Sequence, residues 1–171
     1  MRITFAVTLI ATILFAGLWN IPLHGQGGQP AAQPAPPPPM DRAGYWPNND
    51  IQDIWKDLEA RQVINKRVME GGSYSINVRI VTGSEAPLVH AHSCDVWILQ
   101  AGTATAITGG ELMNGKKRPN SDDIAGDSIR GGKEQALKAG DVLWIPPGLP
   151  HGFKDVKGFR AFLIRWNIPG K

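Results

Sequence analysis

From Tyr74 onward the chain offers only short β-rich runs separated by turn residues: Tyr74 to Val81, Asp95 to Gln100, Thr103 to Thr108, Val142 to Ile145 and Phe159 to Trp166. No stretch between them carries the 3.6-residue apolar period of a helix. Strands at this spacing, joined without helical crossovers, pair antiparallel and close into a sandwich or barrel. Ala101-Gly102 reads as the turn of a hairpin between the second and third runs. Gly109 to Gly132 is polar and glycine-rich, with Lys116-Lys117-Arg118 and Asp122-Asp123, and reads as a long connection with an exposed tip, its basic triplet solvent-exposed rather than a binding patch. Trp97, Leu99, Trp144, Phe153, Phe162 and Trp166 are expected in the barrel core.

The first part of the chain differs in character. Arg2 is followed by the apolar stretch Ile3 to Trp19, and no acidic residue precedes Asp41, the layout of a secretory signal peptide over residues 1–25. The alternative is an uncleaved N-terminal anchor. Residues 26–44 are Gly, Gln, Ala and Pro in the main, ending in a run of four prolines at 36–39, which reads as a disordered spacer. A single domain then spans residues 45–171. Its first element is a helix over about 50–69, capped by Asn49 or Asp50 and stopped by Gly71-Gly72. Ile51, Ile54, Trp55, Leu58 and Val68 stand near helical spacing, so the helix should cover a face or open end of the sheet.

Charge argues for no polyanionic partner. The chain carries 18 basic and 15 acidic side chains, and loss of Arg2 with a leader leaves about +2, too little for a nucleic-acid interface. Cys94 is the only cysteine, so no intrachain disulfide forms even in an oxidising compartment. It reads first as a small buried hydrophobe, with metal ligation or an intermolecular bridge as the alternatives.

Chemistry concentrates in two stretches. In Val-His-Ala-His-Ser-Cys-Asp-Val-Trp, residues 89–97, a strand would place His90 and His92 on one face about 7 Å apart, close enough to converge on one ion. Strict alternation would group Cys94 with them and turn Asp95 away, so a bend or bulge at Ser93-Cys94 is expected to bring the Asp95 carboxylate inward. In Gly-Asp-Val-Leu-Trp-Ile-Pro-Pro-Gly-Leu-Pro-His, residues 140–151, a strand ends in a rigid Pro146-Pro147-Gly148 turn, and Pro150 holds His151 in a fixed direction. Each histidine alone reads as a hydrogen-bonded core or rim residue; three at these positions, with one acid, read as a metal site. Trp97 and Phe153, beside these ligands, could wall an apolar pocket.

Other chemistries lack their carriers. Gly110 to Lys117 has the spacing of a phosphate-binding loop, but Lys117 stands where Ser or Thr would hold magnesium, and no strand-to-helix context surrounds it. There is no Gly-x-Ser-x-Gly elbow, no Cys-x-x-Cys pair and no Gly-x-Gly-x-x-Gly after a strand.

The two stretches resemble the paired motifs of the cupin superfamily, in particular small single-domain, often exported cupins of unassigned activity. Gly83, His90, His92, Asp95 and Gly102 fall on the first motif; Gly140, Pro146, Gly148 and His151 on the second, with Asp155 where Asn is common. The first departs from the pattern by having Asp for Glu and only two residues between His92 and the acid. The resemblance covers about Tyr74 to Trp166. It implies an all-β double-stranded β-helix, a jelly-roll barrel, often a homodimer, holding a divalent metal on His90, His92, Asp95 and His151. Imidazole plus carboxylate suits Fe, Mn, Ni, Zn or Cu over a calcium or magnesium site. The function expected is that of a secreted or periplasmic protein that binds or transforms a small molecule, with oxygenase, isomerase and lyase chemistry all open. The alternatives are a noncatalytic module for a small ligand or metal, tethered near the cell envelope, and a purely structural barrel without an ion.

Overall fold

The computed structural model describes residues 35–168; the leader expected over residues 1–25 lies outside them. Residues 35–47 have no regular secondary structure, yet they are not wholly detached: the Pro36 carbonyl accepts the Glu70 N–H at 3.1 Å. No helix among the described residues is long and apolar enough to cross a membrane.

Helix α1 spans Asn48–Ala60 and buries Ile51, Trp55 and Leu58, one side of three turns. Two expectations about it fail. Pro47 stands at the N-cap and no side chain caps the helix. The helix also ends nine residues before Met69, because Gln62 takes a left-handed conformation (φ 54°) and closes a Schellman turn. There the Val63 N–H donates to the Leu58 carbonyl and the Gln62 N–H to that of Glu59. Val63 and Leu58 meet in the same apolar cluster, the contact that usually accompanies this turn. The residues beyond form strand β1 (Asn65–Glu70), antiparallel to β2 (Tyr74–Val81).

The remaining strands are β3 (Leu88–Val89), β4 (Ser93–Thr108), β5 (Glu111–Met113), β6 (Lys116–Lys117), β7 (Ile124–Ala125), β8 (Ser128–Arg130), β9 (Lys133–Lys138), β10 (Val142–Ile145) and β11 (His151–Asn167). All pair antiparallel. The frame is the pair β4–β11, matched from Ser93 opposite Asn167 to Thr108 opposite His151. The other edge of β11 takes β2 over Phe159–Trp166, while β4 takes β10 over Asp95–Ile98 and β9 over Thr103–Thr108. Among the described residues this is an antiparallel barrel of the double-stranded β-helix kind with one helix, α1, packed outside.

Gly102 does not close a hairpin. The strand runs straight through it, with φ +76° and its α-carbon so close to β11 that a Cβ would meet the Gly158 carbonyl oxygen at 2.3 Å. Register shifts in β11 between Lys154 and Ala161 face this point, so glycine serves a bulge that bends two long strands together. The connection at 109–132 is also more ordered than an open loop, since it contributes β5 to β8 and pairs β7 with β3.

Strand alternation sorts β2 into two faces. Ile76, Val78 and Ile80 pack under α1 with Val68, Ile51, Trp55 and Leu58. Val81 faces the barrel interior with Trp97, Leu99, Ile145, Phe159 and Leu163. Two residues expected in the barrel core lie elsewhere: Trp144 is on the outer face of β10 and 56% exposed, and Phe162 packs on Trp55 in the cluster under α1. Cys94 is buried and offers its thiol to the Trp166 carbonyl at 3.6 Å.

Candidate functional site

Asp95 opens the inward series Asp95, Trp97, Leu99 on β4 and is fully buried. Directly across the ladder stands Arg165, which continues the inward series Phe159, Ala161, Leu163 on β11. Its guanidinium forks onto both carboxylate oxygens, Nε to Oδ1 at 2.6 Å and a terminal nitrogen to Oδ2 at 2.8 Å. Burial alone pushes the Asp95 carboxyl up; the hydrogen bonds and charge of Arg165 outweigh it and hold the group well below the ordinary carboxylate range.

No bulge at Ser93-Cys94 was needed to turn Asp95 inward, because β4 pairs with β11 in unbroken register from Ser93 through Asp95. The irregularity lies two residues earlier. His90, Ala91 and His92 form the bend between β3 and β4, so the alternation that would put both imidazoles on one face does not apply. His90 turns in and is buried; His92 turns out, with its side chain 53% exposed, and meets Asp122 at 3.2 Å. The structure therefore gathers His90, Asp95 and His151 and leaves His92 outside. One ligand atom from each of the three lies within 4.8 Å of the others. Cys94, on the opposite parity from Asp95, is not among them.

Both buried rings are fixed through Nδ1. His90 Nδ1 meets the Asp123 carboxylate at 2.7 Å, and the other oxygen of Asp123 accepts the Ala91 N–H at 3.1 Å. His151 Nδ1 donates to the Leu149 carbonyl at 2.9 Å. The Arg165 nitrogen 2.6 Å from His90 Nε2 can only donate, so Nε2 is the acceptor and the ring proton sits on Nδ1. The second-motif turn reaches the same place: the Gly148 N–H donates to the His90 carbonyl, and Gly148 has φ +79° as the turn requires. Burial lowers the pKa of His151, with the Leu149 carbonyl opposing.

Two residues here escaped the sequence reading. Arg165 could have been found by parity, as a charge at an inward position of an otherwise apolar series. Asp123 gave no such signal, since only the folding of a polar connection brings it to His90. A cavity of about 50 Å³ lies beside the cluster, lined by His90, Asp95, His151 and Arg165 and walled by Trp97 and Phe153, whose rings meet edge-on at 5.0 Å.

The scaffold is an antiparallel β barrel. Its strand pairing is that of the double-stranded β-helix, with His90 and His151 brought to one interior point from two separate motifs. No family model matches the sequence, and no curated protein matches it. Among solved structures, a cupin-2 domain protein of Shewanella frigidimarina is 18% identical with a TM-score of 0.40, over 58% of this chain and 76% of that one. A double-stranded β-helix protein of Klebsiella pneumoniae is 22% identical at 0.43, over 61% and 73%. A hydroquinone 1,2-dioxygenase of a Sphingomonas species, crystallised with 4-hydroxybenzoate, is 18% identical at 0.44, over 63% and 66%. At these values they assign no role to any residue of this barrel.

Proposed function

We propose that the chain is an exported metal-binding barrel protein that holds one divalent transition metal on His90 Nε2, Asp95 and His151 Nε2 and binds or transforms a small molecule beside it. The observation that carries this reading is the tethering of both imidazoles through Nδ1, to Asp123 and to the Leu149 carbonyl. Ligand histidines are held in this way, with the outer nitrogen bonded to a carboxylate or carbonyl and the inner nitrogen turned to the site; at His90 that nitrogen takes an Arg165 N–H, which an ion would displace. Two imidazoles and a carboxylate suit Fe, Mn, Ni, Zn or Cu, and three protein ligands leave positions for water or substrate. Once bound, such an ion supplies a Lewis acid or a redox centre. The chain's own contribution is to fix the two rings, to keep Asp95 ionised and to wall the site with Trp97 and Phe153.

Elemental analysis after purification from metal-supplemented medium tests this. About one equivalent is expected in the wild type and in His92→Ala, and under about a tenth in His90→Ala and His151→Ala. A wild type below a tenth of an equivalent contradicts it.

A second reading rests on Arg165. Its guanidinium neutralises Asp95 and reaches His90 Nε2, so it can act as the resident cation of a metal-free, noncatalytic ligand-binding barrel. Under that reading Arg165→Met stays metal-free; under the first it gains metal affinity, because a competing cation has gone.

A further inference from the structure

The cavity beside the cluster has a second polar wall that the metal reading leaves unused. Arg79 faces inward from β2, and its guanidinium lies over Trp97, 5.5 Å from the ring centroid. Arg79 Nε and Trp97 Nε1 are both sealed from solvent, and neither has a hydrogen-bond partner among the described residues. The acids nearby are committed elsewhere. Asp95 is taken by Arg165, and Glu85 accepts the N–H groups of Thr82 and Gly83 in its own loop. Burial lowers the pKa of Arg79 to about 10, with Glu85 opposing, so it remains a cation at neutral pH. The sealed Arg79 Nε–H and the indole N–H, without acceptors on one cavity, leave two donors that a hydrogen-bond acceptor would satisfy.

We propose that this wall binds the carboxylate of a small organic acid, with Arg79 and Trp97 as its anchors. The fork of an arginine matches a planar carboxylate. A dianion such as phosphate is disfavoured by Asp95 and Glu85 on the same cavity. A volume of about 50 Å³ holds about four water-sized groups, which fits acetate or the head of a short acid. The proposal rests on this cavity being the small-molecule site but not on which cation occupies the cluster beside it.

Isothermal titration of the full chain with sodium acetate tests it, with acetamide and inorganic phosphate as controls and metal content measured on the same samples. Saturable binding of acetate, and of neither control, is expected. Arg79→Gln should weaken it about tenfold or more and Trp97→Phe about threefold, with metal content unchanged in both. If Arg79→Gln does not fold, Arg79→Lys, which keeps the charge and loses the planar fork, is read together with Trp97→Phe, which keeps an aromatic ring but loses the larger indole and its N–H. Absence of saturable acetate binding, equal binding of acetamide, or unchanged affinity in the folded variants overturns the proposal and leaves water as the partner of these N–H groups. A metal-free wild type that binds acetate sinks the metal reading and leaves this one standing; a metal-loaded wild type that does not bind acetate does the reverse.

Discussion

Asp95 is a buried carboxylate with its counter-charge directly across the ladder, and in the proposed metal site Arg165 and the ion would compete for it. Removing one partner of a buried pair leaves the other uncompensated, which costs about 3–5 kcal/mol when both are sealed. Arg165 is 31% exposed, so Arg165→Met should cost metal-free protein about 2–3 kcal/mol. Saturating zinc should recover most of that loss, as urea denaturation with chelator and with metal would show. Equal stability of variant and wild type in chelator would mean that the pair contributes nothing.

The same residues set an acid limit. The folded pKa of His151 lies below its ordinary 6.5, so the unfolded chain binds the proton first and stability falls as pH drops below about 6.5. The folded pKa of Asp95 lies below 3.8, so its contribution is present above that value and is lost as pH falls further. Metal-free protein should therefore lose stability in two stages, and His151→Gln should remove the upper one. A melting temperature flat between pH 7 and 5 in chelator would contradict the first stage.

At the scale of elements, much of the barrel was legible and the reasons for the rest are specific. The β2 and β10 runs matched to the residue, because each is a short β-rich run bounded by turn residues, Gly72-Ser73 and Gly83 around β2, Gly140 and Pro146 around β10. The helix was overextended because Val68 falls on a helical spacing while facing α1 from a strand, and nothing in the sequence announced a left-handed glutamine at 62. Gly102 looked like a turn because a positive-φ glycine serves turns and bulges alike. Its role predicts a contrast. Gly102→Ala combines strain with a backbone clash and should cost about 3 kcal/mol or more, whereas Gly140→Ala, at φ +91° with nothing within 4 Å of the added carbon, should cost about 1 kcal/mol. Similar urea midpoints for the two would refute the bulge as a point of close packing.

For the molecule as a whole, two apolar clusters share the β2 strand, one under α1 and one inside the barrel, and the site sits at the polar end of the inner one. His90, Asp95 and His151 were readable because each sits next to a strand or a proline-fixed turn. His92 misled because the short link to Asp95 leaves only Ser93 and Cys94 before the acid, and the bend falls on the histidine pair itself. Asp123 and Arg79 act through contacts that only the closed barrel creates. The most direct test of the account is a crystal of metal-loaded protein measured with anomalous scattering at the absorption edge of its metal. One peak is expected about 2.0–2.2 Å from His90 Nε2, His151 Nε2 and an Asp95 oxygen, with the Arg165 guanidinium moved off that carboxylate. A peak coordinated by His92, or no peak and the guanidinium still between Asp95 and His90, would contradict it.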